Sequence, residues 1–358
     1  TKRRSRYRSA RGREPARCGE PLHLGGSPHD VRPSSRVFIS GAGSGNFRWR
    51  LLRSHLTPPR VLVSLFRGRL SPDEWYPALE ADLSARLVRL PGGEQARVVE
   101  GGDARHPPVL FIHGWGASAY YYRKLLPAVL RAGRRVIAMD LRGHGGSDKP
   151  MDESLYTADA MAAHVEGVID ALGYDRLDIV AHSLGGGVAL DVARRQRDRV
   201  STLTLLAPVG LAPVRFLVLA RMATPGAVAP LVRYAVPPWS IPLVVRALNG
   251  TLGDFAFRDV DEYWAPTRDP AFGWALRTLL HHYRLAPRTH EELAQITAPV
   301  LVLLGGQDLL VRAAESAQRV TSLPGWRARI VARAGHVLAE EVPQTVLDEL
   351  LPHLGVDR

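Results

Sequence analysis

At 358 residues the chain is long enough for one large domain with an insertion or an appendage. A content of 46% hydrophobic and 23% charged residues excludes a collagen-like, low-complexity or wholly disordered protein. The net charge of +12 points to an anionic partner only until it is located, because residues 1–60 hold 14 Lys and Arg against three acids, Glu14, Glu20 and Asp30.

The remaining chain is nearly neutral, so no nucleic-acid partner is expected for a folded core. The single cysteine, Cys18, excludes an internal disulfide framework and suits a reducing, cytoplasmic setting. No run of 18 apolar residues lacks a charge or proline, so neither a transmembrane helix nor stable membrane insertion is expected. The Arg-rich start also lacks the apolar core and cleavage site of a secretory leader.

Residues 1–58 are rich in Arg, Ser, Gly and Pro and read as a basic, disordered extension. Order is expected from about Arg60. Ser71-Pro72-Asp73-Glu74 is a capping box with proline at the first helical position, which predicts a helix to about Ala85. Strands are predicted at Arg86–Leu90 and Gln95–Glu100, joined by Pro91-Gly92-Gly93.

From there apolar strands and helices alternate. Strand Val109–Ile112 precedes helix Tyr120–Arg131, and strand Arg135–Met139 precedes helix Thr157–Leu172. Strand Leu177–Ala181 then leads into helix Leu184–Arg195, followed by strand Leu203–Ala207. After a break come strand Val300–Leu304, helix Arg312–Val320, strand Ala328–Ala332 and helix Val342–Leu354. Such alternation predicts an α/β fold, with a mostly parallel eight-stranded sheet covered by helices on both faces. The core is expected from 59–210 and 297–358. The intervening 211–296, rich in Pro and aromatic residues, is expected to be a helical cap or lid.

Ala181-His182-Ser183-Leu184-Gly185-Gly186 follows a strand and opens a helix. A serine there sits on a sharp turn that lifts its Oγ above the sheet, with Ala181 standing where the first glycine of the pattern usually is. A serine hydroxyl needs a base, and the base needs a third group to orient it. Asp308 follows the end of one later strand and His336 the end of the next, giving the order Ser183, Asp308, His336. The loop after Leu203–Ala207 offers no competing acid. Backbone N–H groups of Trp115, in His113-Gly114-Trp115-Gly116, and of Leu184 are the expected oxyanion-hole donors.

Asp140, Arg142, His144 and Asp148 read as a loop braced by its own hydrogen bonds. Adjacent His281 and His282 lack the spacing of a helical metal pair, and no dinucleotide fingerprint occurs. Neither a metal nor a cofactor is expected.

These motifs together resemble the α/β-hydrolase superfamily, in its cap-containing, serine-nucleophile branch of esterases and lipases. The resemblance runs from about Arg86 to the end and includes Asp140-Leu141-Arg142-Gly143-His144-Gly145-Gly146-Ser147. It implies a serine esterase with a catalytic triad, nucleophile elbow, oxyanion hole and cap domain, and the apolar residues of the expected lid suggest a hydrophobic small-to-medium carboxylic ester as its substrate. Epoxide hydrolases and haloalkane dehalogenases of that superfamily place Asp at the elbow, against which Ser183 argues. Hydrolysis of a C–C bond in a ring-cleavage product, and a non-catalytic ligand-binding protein on the same fold, are the alternatives. For the former, Arg215, Arg221 and Arg246 are the cations available to a substrate carboxylate.

Overall fold

A computed structural model describes residues 37–39, 70–225, 240–250 and 257–356. All of them lie in one compact unit, Ser35–Arg358. The eight strands expected from the sequence are present as β2 (Ser84–Arg89), β3 (Gln95–Gly101), β4 (Pro108–Ile112), β5 (Arg135–Met139), β6 (Leu177–His182), β7 (Val200–Leu206), β8 (Val300–Gly305) and β9 (Trp326–Val331). A ninth, β1 (Val37–Ile39), pairs in parallel with β9 at the sheet edge. Apart from β1, the segment 1–58 lies outside the described residues, as do Trp239 and Phe255 of the expected cap.

The strand order is β1-β9-β8-β7-β6-β4-β5-β3-β2, antiparallel only where β3 meets β2 and β5. Strands buried on both faces must be apolar at successive positions, and β6 and β8 are buried along their whole length. The two-residue period then divides them between two cores. Leu110 and Ile112 of β4 pack in one core with Ile137 and Ile179. Val109 and Phe111 pack in the other with Ala138 and Val180.

Two predicted helices are shorter than expected, each interrupted by a proline that removes an N–H and clashes with the preceding turn. The capping box opens only the 3₁₀ turn Pro72–Glu74, because Pro77 stands where the next turn would form. The predicted Tyr120–Arg131 is a 3₁₀ turn, Ala119–Tyr122, and a helix, Leu126–Arg131, with Pro127 in its first turn.

Between β7 and β8 the chain leaves the sheet for a helical excursion that includes Leu217–Ala223, Ser240–Leu248, Phe257–Trp264 and Pro270–His282. A buried polar cluster ties it to the body. Asp259 accepts from Tyr120 Oη at 2.6 Å and from Arg123 Nη2 at 2.5 Å. The sheet reverses its winding beside β4, where β5 lies on one side and β6 on the other. A crevice at the carboxyl ends of such strands is where this architecture receives ligands.

Candidate active site

Ser183 stands where β6 ends and helix Ser183–Arg195 begins. Its φ is 51°, in the left-handed region that residues with a Cβ avoid. Holding a serine there costs on the order of 1–3 kcal/mol, which the packed surroundings must supply. The loop after β4 lies hard against this turn. A Cβ on Gly114 would come within 2.9 Å of Ser183 Cβ and 2.7 Å of His182 Nδ1, so glycine allows the approach.

The structure brings the three sequence-predicted residues into one hydrogen-bonded chain. His336 Nε2 lies 2.9 Å from Ser183 Oγ, and His336 Nδ1 lies 2.7 Å from Asp308 Oδ2. All three are buried. Asp308 Oδ1 accepts the backbone N–H groups of Leu310 and Val311 at 2.7 and 2.9 Å, which fixes the carboxylate in its turn after β8. With Nδ1 facing a carboxylate, the imidazole carries its hydrogen there and turns a lone pair on Nε2 toward the serine.

Trp115 follows Gly114 directly, while Leu184 is the second residue of the helix that Ser183 opens. Both N–H groups thus belong to the two segments that meet at Ser183, and that of Leu184 lies at the positive end of a helix. The Trp115 indole reaches away from the sheet and donates to Leu276 O in the inserted helix Pro270–His282 at 2.9 Å.

A second layer supports these residues, and its members other than His182, which is packed and hydrogen-bonded rather than catalytic, escaped the sequence reading. His182 lies flat on Tyr121, ring centroids 4.3 Å apart, and its Nε2 is 3.0 Å from His336 O. Burial, reinforced by the neighbouring His336, holds its pKa well below that of an ordinary histidine, so it is neutral and donates from Nε2. His336 N–H donates to Leu248 O at the end of helix Ser240–Leu248. Glu341 accepts the N–H groups of Gly335 and Gly250. The three consecutive tyrosines 120–122 were a visible signal of a packed polar support, whereas Glu341 lies in a short stretch without a motif.

The loop after β5 is braced in part by its own hydrogen bonds, as expected, with Ser147 Oγ donating to Asp140 O at 2.6 Å, and in part from Ala119 and His113 outside it. Asp140 accepts from Ala119 N at 2.7 Å and Gly146 N at 2.8 Å, and His113 Nε2 accepts from Leu141 N at 3.0 Å. Burial pulls His144 down to about 3, so it is a neutral packing element. His281 faces Thr224 on the insertion, and His282 reaches across to Glu153 on the body. Among the described residues no group of His, Cys, Asp and Glu is arranged to hold a metal.

Residues 107–343 match the alpha/beta hydrolase fold family. The chain belongs to this family. It is 26% identical over 265 residues to the sn-1-specific diacylglycerol lipase of Mus musculus, across 71% of this chain and 83% of that protein. It is 29% identical over 323 residues to epoxide hydrolase 3 of Xenopus tropicalis, across 80% and 84%. Among solved structures it is similar to a membrane phospholipase A described as a bacterial virulence factor, with a TM-score of 0.66, 26% identity and coverage of 77% and 86%. Proteins named as a lipase and as an epoxide hydrolase thus both resemble this chain over most of its length.

Proposed function

We propose that this chain is a serine esterase that cleaves a hydrophobic, small-to-medium carboxylic ester through an acyl-enzyme. The observation that carries this reading is the unbroken chain from Ser183 Oγ through His336 to Asp308, set behind a strained strand-to-helix turn.

In this reading His336 Nε2 takes the Ser183 proton as Oγ attacks the ester carbonyl. The N–H groups of Trp115 and Leu184 receive the oxyanion. The tetrahedral intermediate collapses, the C–O bond to the alcohol breaks, and His336 returns the proton to the departing oxygen. Water, deprotonated by His336, then cleaves the acyl-enzyme and frees Ser183. Asp308 holds the Nδ1–H tautomer and offsets the imidazolium charge that forms in each half. The helical excursion 211–296 acts as the lid, with Trp115 and Leu276 as one of its attachments to the body. The similarity to a diacylglycerol lipase and to a phospholipase A supports an acyl ester as substrate.

The C–C alternative calls for a cation facing the substrate carboxylate. Arg215 turns Nη1 to Asp308 O, Arg221 turns Nε to Leu280 O, and Arg246 is exposed. None of these favours that chemistry over ester cleavage.

The test is turnover of p-nitrophenyl esters from acetate to palmitate by wild type and by Ser183→Ala. Loss on the order of 10⁶ in kcat is expected for the variant, and the chain-length profile sizes the acyl pocket. A wild type inert on every ester but labelled by a fluorophosphonate at Ser183 would move the C–C reading ahead. Absence of both would leave the ligand-binding reading.

A further inference from the structure

We infer that the helical insertion docks on an anionic phospholipid surface through the outer face of helix Leu217–Ala223. This helix has no buried residue. Phe216 is 63%, Val218 72%, Leu219 64% and Met222 74% exposed, a concentration of large apolar side chains that a water-facing helix does not need. Leu243 and Val244, on helix Ser240–Leu248 of the same insertion, are also exposed. An open groove of about 830 Å³ runs between helix Leu217–Ala223 and Tyr283–Pro287, and none of Ser183, His336 and Asp308 lines it.

Charge decides which occupant fits. Residues 211–250 contain Arg215, Arg221, Arg233 and Arg246 and no Asp or Glu. Among the described residues neither Arg215 nor Arg221 forms an ion pair. Arg215 Nη1 donates to Asp308 O at 3.2 Å and Arg221 Nε to Leu280 O at 2.8 Å, both uncharged acceptors. Apolar side chains beside unneutralised arginines, with no acid in the segment, are the composition of an interfacial helix on an anionic membrane. A second copy of this chain would set arginines against arginines. The basic segment 1–60 would meet the same repulsion if it folded back over this face.

The position gives the surface a use at the proposed active site. Arg215 N–H donates to Leu310 O, so the outer helix follows directly from a strap on the Asp308 turn, and the neighbouring Leu309 is 51% exposed. A lipid surface held there would bring ester substrates up to the Asp308 turn of the proposed site. That consequence rests on the proposed esterase, whereas the docking itself does not.

The experiment is co-sedimentation of the full chain with vesicles of phosphatidylcholine alone and of phosphatidylcholine with phosphatidylglycerol, for wild type and Leu219→Asp/Met222→Asp. Both substituted side chains are exposed, so folding and hydrolysis of p-nitrophenyl acetate should match wild type. Wild type is expected to bind the anionic vesicles well above the neutral ones, and the variant at least about tenfold more weakly. Binding that survives the double substitution would overturn the inference and assign the attraction to the basic segment 1–60. An absence of vesicle binding would also overturn it, and a wild-type dimer dispersed by the substitutions would then make this face a contact between copies. Ester turnover in solution is read separately, so an inactive enzyme that still binds vesicles fails the esterase reading alone.

Discussion

Both oxygens of the Glu341 carboxylate lie 3.0 Å from the backbone N of Gly335, the residue before His336. Oε2 also accepts the Gly250 N–H at 2.7 Å, where the chain leaves helix Ser240–Leu248. One side chain therefore sets the imidazole loop and the end of an inserted helix against each other. Glu341 is thus expected to act as a positioning residue for the proposed base. Glu341→Ala should lower kcat on the order of tenfold to a hundredfold by letting His336 drift, with a smaller change in KM. Glu341→Gln retains one acceptor oxygen and should recover much of the loss. A purely structural role would instead reduce the folded fraction and leave kcat per active site, titrated by fluorophosphonate, unchanged.

Asp308 offers a sharper test of the same imidazole. In Asp308→Asn the amide oxygen can still receive the Leu310 and Val311 N–H groups, so the turn after β8 should persist. The amide NH₂ then faces His336 Nδ1 and forces the hydrogen onto Nε2, where it cannot accept the serine proton. A fall in kcat on the order of 10⁴ is expected, with an unchanged circular dichroism spectrum and thermal midpoint.

Gly305 ends β8 against the loop that carries His336. A Cβ there would lie 1.8 Å from Gly335 O and 2.7 Å from Ala334 O, both backbone atoms with no side chain to swing aside. Gly305→Ala should destabilise the fold by about 3 kcal/mol or more, read as a lowered urea midpoint. Activity should fall further than stability explains, because the strain is relieved by moving the His336 loop.

Glu94 carries a pH-dependent share of stability. Burial works to raise its pKa, but bonding from His164 and Arg142 outweighs this and lowers it to about 2. Arg142 reaches it through Nη2 at 2.6 Å and Nε at 2.8 Å. A carboxyl whose folded pKa is depressed stabilises the fold above its unfolded value of 4.5, and that contribution disappears as pH falls toward 2. Glu94→Gln should lose on the order of 2–3 kcal/mol at pH 7 and converge with wild type near the acid limit. Chemical denaturation of both proteins across that range measures the difference directly. A constant offset at all pH values would mean that packing, not charge, is what the substitution removes.

The parts of this molecule that could be read from its sequence are those where one physical demand fixes one residue type. Strands covered on both faces must be apolar throughout, which made β4, β6 and β8 legible. The apolar runs of β6, β8 and β9 put Ser183, Asp308 and His336 just past strand ends, and the chain order of the three residues agreed with that placement. The insertion was harder. Its helix Phe257–Trp264 holds Arg258, Asp259 and Glu262, whose partners Glu74, Arg123 and Tyr76 lie over 100 residues away. Glu341 was unreadable for the same reason, since a single acid bridging two loop amides leaves no local period. The predicted helix after Ser71 failed because the capping signal was read without weighing Pro77, which acts only a few residues later.

The left-handed backbone at Ser183 places reactivity and durability in opposition. A glycine would adopt that φ of 51° without penalty, whereas the residue that carries the hydroxyl cannot. Ser183→Gly should therefore melt higher than the native chain, by roughly 1 kcal/mol or more at the unfolding transition, while losing all acyl transfer. A chain that became hardier on exchanging this hydroxymethyl group for hydrogen would be one that keeps the less comfortable residue for its chemistry.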